Sequence, residues 1–585
     1  MNVKLRMCSL LGLLLCSVMG FAQIEWHNPL AMGTEMIRGR WWQTELSDSY
    51  RRFPPRAQET IPASVYTQST QAAGLNIVFR TNSPEILVRY TVTGSHSFNH
   101  MQATGKSGVD LYGVDAHGTW RWCCTGNRHF GQDSIVYRYD GLTYEQDNGY
   151  GYEFHLYLPT YVEVNFLEIG VKEGSRFEFH PTSKERPIVV YGTSIAHGAC
   201  SSRPGMAWSN IIDREMEHPI VNLGFSGNGR MEPEVYDLIN EIDAKLYILD
   251  CLPNMCGIID QIEPRLTAGV RKLRASHPDV PILLVDHSGY PQEVTRKAST
   301  IFRKANAEQQ RVYKQLQAAG IEHLYYLSYE ELGLTADSWV EGSHPNDLGM
   351  RQYADAYIKK IREILHEDCM ERTVFTPCHH HRDPYDWLDR HEKVLAYNQT
   401  EQPEILLIGN SITHYWGGNP KAHIIRGEKS WNKLFKGKKV SNMGFGWDRV
   451  ENGLWRIYHD ELYGFKARKI FLFLGTNNIG RNTPEEIVSG QLELLRAIHL
   501  RQPQAKLYMC GIMPRSTGQE HIKAVNELLP KRLAAEMPEV TFVTLSPLLG
   551  DENQSAYEQY FIDGTHPSGE GYEREAKMLK KYVNE

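Results

Sequence analysis

A short apolar run that stops at Gly-x-Ser occurs twice in this chain, and each copy closes much later on an acidic residue three positions before a His-Pro pair. The first copy runs from Pro187-Ile-Val-Val-Tyr191 into Gly192-Thr193-Ser194 and closes at Glu341-Gly342-Ser343-His344-Pro345. The second runs from Glu404-Ile-Leu-Leu-Ile408 into Gly409-Asn410-Ser411 and closes at Asp563-Gly564-Thr565-His566-Pro567. Serine and histidine stand 150 residues apart in one copy and 155 in the other. A repeat of that span commits the chain to two folded units built on one plan.

The runs between these markers have one grammar. Pro219-Ile-Val-Asn222, Lys245-Leu-Tyr-Ile-Leu249, Pro281-Ile-Leu-Leu-Val285 and His323-Leu-Tyr-Tyr-Leu327 follow the first apolar run, with amphipathic stretches such as 262–277 and 295–317 between them. Lys439-Val-Ser-Asn442, Lys469-Ile-Phe-Leu-Phe-Leu474, Lys506-Leu-Tyr-Met509 and Val540-Thr-Phe-Val-Thr544 repeat it. Continuous apolar strands alternating with helices predict a parallel sheet covered on both faces. Residues 24–185 read differently. Runs at 75–80, 86–92, 134–139, 152–157 and 162–166 are short, β-branched and aromatic, with Gly and Pro between them, which predicts a sandwich or jelly roll. The expected order is a signal peptide at 1–22, a β-sandwich at 23–185, an α/β domain at 186–366, a linker and lead-in helix at 367–402, and a second α/β domain at 403–585.

The start of the chain has the layout of a removable leader. Lys4 and Arg6 precede an apolar run from Met7 to Met19, and small residues at Gly20 and Ala22 stand before Gln23. The rival reading is a buried N-terminal helix. Leu15 before Cys16 does not favour a lipid anchor. No later run is long enough to span a bilayer, so the mature chain is expected to have no integral membrane segment. With 63 basic against 70 acidic residues there is no basic excess to neutralise phosphates, which argues against a nucleic-acid partner.

Cys123-Cys124 and Cys251/Cys256 are candidate thiols or bridges. The cluster Cys369, Cys378, His379, His380 and His381 lacks the paired spacing of a closed zinc site and is read as a solvated linker. The aromatics Trp41, Trp42, Trp120 and Trp122 fit a core or a sugar platform, and the reading favours core.

Serine on a strand-to-helix turn presents its hydroxyl beside backbone N–H groups. It is also a common helix cap, so each Gly-x-Ser is weak alone. Its pairing with His-Pro gives it meaning. A carboxylate at i−3 can hold the imidazole tautomer while the other ring nitrogen takes the serine proton. Between serine and histidine lie Asn222-Leu-Gly-Phe-Ser-Gly-Asn228 with Asn254, and Asn442-Met-Gly-Phe-Gly-Trp-Asp448 with Asn477. These glycine turns and amides are what an oxyanion hole needs. The asparagines fall 60 and 66 residues after their serines.

These motifs resemble the SGNH hydrolases, also called GDSL-type esterases, whose blocks carry a serine, a glycine, an asparagine and a histidine. The first half is similar to the branch whose preceding β domain bears Gly-x-Asp-Leu-Tyr, here Gly108-Val109-Asp110-Leu111-Tyr112. The second half resembles the platelet-activating-factor acetylhydrolases and bacterial carbohydrate acetylesterases. The resemblance implies a flavodoxin-like three-layer α/β/α fold for both halves and a serine esterase acting on acetylated carbohydrate or another small ester, and the leader pattern places the expected enzyme in the periplasm or outside the cell. It implies nucleophiles Ser194 and Ser411, bases His344 and His566, and orienting acids Glu341 and Asp563. The oxyanion donors implied are Gly227 and Asn254 in one half, and Trp447 and Asn477 in the other. No cofactor and no metal are expected. The rival readings are a glycan-binding protein with inactive hydrolase domains and a lipase- or thioesterase-like enzyme for longer acyl chains.

Four residues depart from the family pattern. Thr193 and Asn410 stand where the serine block has aspartate, Glu341 replaces aspartate with a longer arm, and Trp447 replaces the second-block glycine. A bulky residue at Trp447 is penalised if that turn needs a positive φ.

Overall fold

The computed structural model describes residues 23–114, 120–144, 151–367, 380, 385–545 and 559–585. The leader, and Cys369, Cys378, His379 and His381, lie outside the described residues. Two antiparallel five-stranded sheets come first. One orders β1 (Ile24–His27), β9 (Glu163–Lys172), β3 (Glu85–Thr93), β7 (Ile135–Asp140) and β6 (Arg128–Phe130). The other orders β10 (Phe177–His180), β2 (Asn76–Thr81), β8 (Tyr152–Tyr157), β4 (Asp110–Val114) and β5 (Trp120–Cys123). Alternate residues of both, among them Ile86, Val88, Phe79, Leu111, Ile135 and Leu156, meet in one buried core, so the sheets form a sandwich.

Each α/β domain has a parallel five-stranded sheet. The first orders β12 (Ile220–Gly224), β11 (Ile188–Gly192), β13 (Leu246–Asp250), β14 (Ile282–Val285) and β15 (Leu324–Leu327). The second orders β17 (Val440–Gly444), β16 (Ile405–Gly409), β18 (Lys469–Leu472), β19 (Lys506–Cys510) and β20 (Thr541–Val543). Both follow the order 2-1-3-4-5 of flavodoxin-like sheets, which puts the switch point beside the first strand. Val189 and Tyr191 face one core while Ile188 and Val190 face another. Leu406 and Ile408 divide from Ile405 and Leu407 in the same way. Burial on both faces is why these strands carry no polar alternation.

The expected boundary at 185/186 divides the sequence but not the packing. Trp42, Leu46, Phe53, Ile61 and Val65 leave the sandwich and join the core of the first α/β domain. Arg52 travels with them, fully buried, and donates to the carbonyls of Asn222 at 3.1 Å and Gly224 at 2.8 Å at the end of β12. In the second domain the lead-in helix Trp387–Glu401 supplies Arg390, which donates to Gly444 at 2.7 Å and Asn442 at 3.0 Å at the end of β17. The duplicated plan therefore includes a buried guanidinium brought from outside the sheet. Arg390→Met would leave those buried acceptors unmatched and is expected to cost at least about 2 kcal/mol in the second domain's unfolding transition, read by chemical denaturation. An unchanged transition would mean that water reaches those carbonyls.

Several local expectations change. His380 is not on a solvated linker: it is fully buried, 3.0 Å from Asp448 and beside Trp387. Trp42 is core, but of the α/β domain. Trp122 is half exposed, its indole N–H donating to Asp110 at 2.7 Å under the Arg203 guanidinium. Cys123, Cys124, Cys251 and Cys256 are free thiols. Among the described residues no helix is long and apolar enough to cross a membrane.

Candidate active sites

Both serines sit where a parallel strand ends and a one-turn helix begins. Ser194 opens the helix Ser194–His197 directly after β11, and Ser411 opens Ser411–His414 directly after β16. The turn packs close to its neighbour strand. A Cβ on Gly224 would stand 2.3 Å from the His197 nitrogen, and one on Gly444 2.2 Å from that of His414, so only glycine admits this approach. Asn222 and Asn442 tie turn to strand, donating to the carbonyls of Ala196 at 2.7 Å and Thr413 at 2.9 Å. At the departed serine-block position, Asn410 caps its helix by accepting from Ile412 N–H at 2.9 Å; Thr193 makes no such cap.

The His-Pro segments return to these serines as matching loops. Trp339 bridges to Pro345 and Phe561 to Pro567, closing each loop just short of the helices Asp347–Leu365 and Gly569–Asn584. Across the gap, His344 Nε2 lies 2.8 Å from Ser194 Oγ and His566 Nε2 lies 2.8 Å from Ser411 Oγ. The opposite ring nitrogen of His344 bonds to Glu341 Oε1, and that of His566 to Asp563 Oδ2 at 2.8 Å. With Nδ1–H donated to a carboxylate, Nε2 carries a lone pair that can accept the serine proton. The longer arm of Glu341 does not break the arrangement, since its second oxygen accepts from Ser343 N–H at 3.1 Å and fixes the carboxylate.

The serines are almost buried while the acids are open to solvent on one side. Burial pushes the His344 imidazole below its ordinary value, against the pull of Glu341, and the neighbouring His100 adds to the depression. Burial alone would raise Asp563, but hydrogen bonds from the His566 backbone and ring hold it below the usual carboxylate range. A base must be neutral to accept a proton, so a lowered value keeps His344 competent further into acid. With Ser411→Ala isolating the first site, the acid limb of kcat/KM is expected to have its midpoint below 6.5, the ordinary imidazole value. A midpoint above 6.5 would contradict this.

The expected oxyanion groups take two forms. Gly227 has φ +70° and its N–H donates to no other described residue, and Asn254 Oδ1 accepts from Gly229 N–H at 3.1 Å, which orients its amide N–H₂ away. Trp447 adopts the same left-handed conformation at φ +62°, so the penalty foreseen for a bulky residue is borne, at about 1–2 kcal/mol. Asn477 spends one amide proton on the Asp448 carbonyl at 2.9 Å. Asp448 is in turn buried against Arg456 at 2.9 Å and Trp387, which pins the turn that presents Trp447.

Sequence reasoning missed the sandwich's share in the first site. Tyr161 donates to the Ser194 carbonyl at 3.3 Å and stacks on His197, while the His100 ring lies parallel to that of His344, centroids 5.8 Å apart. The Gly-x-Asp-Leu-Tyr motif latches this wall in place. Asp110 accepts from Arg203 at 2.5 Å and from Gly205 N–H at 3.1 Å, and Tyr112 OH pairs with the same arginine at 2.6 Å. The motif had flagged Asp110, but nothing local marked His100 or Tyr161.

Comparison with known proteins agrees with this geometry. Two models of the GDSL-like lipase/acylhydrolase family match residues 185–362 and 407–574, and the GxDLY model, which describes the N-terminus of SGNH-hydro-type esterases, matches 24–177. A protein described as GDSL-like lipase from Bacteroides ovatus is 30% identical, with its crystal structure covered over 98% of its length and 59% of this chain at a TM-score of 0.53. The chain belongs to the GDSL-like, or SGNH, hydrolases. It is a carboxylic ester hydrolase of that family. It is also 27% identical over 202 residues to the alpha2 subunit of platelet-activating factor acetylhydrolase IB from Rattus norvegicus, spanning 34% of this chain and 83% of that protein. The human alpha1 subunit is 28% identical over 192 residues, 32% of this chain and 78% of that one.

Proposed function

We propose that this SGNH hydrolase is an exported esterase with two working sites, and that it removes small acyl groups, acetyl foremost, from esterified carbohydrate. The observation that carries the reading is the pair of serine–histidine–carboxylate chains, each with Ser Oγ 2.8 Å from Nε2, at the carboxyl ends of both parallel sheets. In each site the serine attacks the ester carbonyl as its proton passes to the histidine. Backbone and asparagine N–H groups take the oxyanion, and the histidine returns the proton to the departing alcohol. Water then repeats the sequence on the acyl-enzyme. Kinship with platelet-activating factor acetylhydrolase subunits favours a two-carbon acyl group, and the leader pattern favours export. Trp447, half exposed beside the second serine's turn, offers a flat apolar face of the kind sugar rings stack on.

The test is acyl-chain and acceptor selectivity of the Ser194→Ala and Ser411→Ala chains assayed separately. Both are expected to prefer acetyl over butyryl and longer p-nitrophenyl esters, and to release acetate from acetylated oligosaccharides with different positional preferences. A preference for long acyl chains would sink the acetyl reading; failure on every acetylated sugar would sink the carbohydrate one.

A further inference from the structure

The first site differs from the second in holding, around its base, two side chains that the hydrolytic reaction does not require. His100, Cys200 and His344 each offer a ligand atom, and these atoms lie within 4.8 Å of one another. The three come from separate places. His100 rides a tight turn of the sandwich, closed by paired hydrogen bonds between Phe98 and Met101 at 2.9 and 3.2 Å. Cys200 follows the serine helix in a left-handed conformation, φ +66°, with its thiol 3.5 Å from the His100 carbonyl. His344 is the base itself.

Two imidazoles and a thiol are the donor set that zinc selects, and three protein ligands with an open fourth position make an accessible site. Zinc bonds of about 2.0–2.3 Å put tetrahedral ligand atoms about 3.4–3.8 Å apart, so the group has to close by only about 1 Å. Glu341 already supplies the carboxylate that a metal-bound histidine normally has behind it. Because Glu341 holds Nδ1, the lone pair available to a metal is the one on Nε2, the same pair that accepts the Ser194 proton.

We propose that His100, Cys200 and His344 form a zinc(II) site that shuts the first active site by taking the histidine away from its serine. Zinc displaces the thiol proton as the sulfur–metal bond forms, so one proton is released per ion and binding tightens as pH rises. Among the described residues the second site has no counterpart. Six residues after Ser411 stands Gly417 instead of cysteine, and the ring beside His566 is Tyr415. The chain therefore carries its own internal control.

The inhibitory part rests on the hydrolytic reading of the first site, but metal binding does not, and the two are tested separately. Binding is read on the full Ser194→Ala chain by titrating cobalt(II) and watching for thiolate-to-cobalt charge transfer in the near ultraviolet. The band is expected at one equivalent and is expected to vanish in Cys200→Ser. Inhibition is read on the Ser411→Ala chain with p-nitrophenyl acetate. Zinc should silence it reversibly to EDTA, and His100→Ala or Cys200→Ser should raise the half-inhibiting zinc concentration at least tenfold. The Ser194→Ala chain should keep its activity at the same zinc level. No charge-transfer band, a band that survives Cys200→Ser, or equal zinc sensitivity in all variants overturns the proposal. A thiolate band together with a Ser411→Ala chain that hydrolyses nothing would uphold the metal site and overturn the catalytic reading instead.

Discussion

Ser194→Ala, introduced into a chain already carrying Ser411→Ala, is expected to lower the remaining esterase kcat on the order of 10⁶-fold, about 8 kcal/mol of transition-state stabilisation. The size follows from what the hydroxyl does. Without it no acyl-enzyme forms, and the lone pair of His344, 2.8 Å away, has nothing to deprotonate but stray water. The loss should appear in kcat with KM little changed, because the hydroxyl contributes almost nothing to ground-state binding. Exchanging an almost buried serine for alanine adds no bulk, so the unfolding midpoint should stay where it was, which separates lost chemistry from lost fold. The reverse order, Ser194→Ala first, should give the same final value. A double variant that keeps more than about a thousandth of the activity would place the reaction elsewhere in the chain.

Asp563→Asn is the more discriminating change. The carboxylate accepts from the backbone N–H of Thr565 at 3.2 Å and of His566 at 2.9 Å through one oxygen, and meets the ring through the other at 2.8 Å. An asparagine keeps the first oxygen and turns its NH₂ toward Nδ1. The ring must then carry its proton on Nε2 and cannot accept one from Ser411. In the Ser194→Ala background the expected fall in kcat is about 10⁴-fold, with the loop geometry preserved. A fall of less than tenfold would show that His566 does not depend on Asp563 for its tautomer. Glu341→Gln, in the opposite background, should behave the same way through Ser343 and His344.

The α/β halves were readable because both faces of each sheet are buried, so apolar runs such as 245–249 and 404–408 carry no alternation to blur them. The sandwich was read less completely. β5 and β6 are short edge strands with exposed residues such as Arg121 and His129, and nothing in Trp120-Arg-Trp-Cys123 distinguishes a strand from a loop. Ser194, His344, Ser411 and His566 stood out through their spacing, which repeats because the domain repeats. His100, Tyr161 and the two buried arginines did not, because each acts on a segment far away in sequence. Arg52, for example, is 170 residues from Asn222, and an arginine beside Arg51 reads as surface until the fold buries it. The left-handed turn at Trp447 was foreseen as a cost. That the chain accepts it follows from Asp448, whose burial only the folded state reveals.

The arginine at the end of each second strand also sets how the gene for such a protein can be cut. Residues 403–585 hold every strand of the second sheet, yet they omit Arg390 and with it the hydrogen bonds that close β17 above the serine turn. A free-standing second hydrolase has to begin ahead of Asp386, which caps the helix carrying that arginine and is held at 3.1 Å by Arg80 of the sandwich. The first hydrolase is bound more tightly still, since Arg52 lies inside the sandwich's own stretch of sequence. Its loss with that stretch would take the wall bearing His100 as well. Both halves thus share a module whose outermost clamp lies upstream of its first strand, and a cut made at that strand leaves the clamp behind.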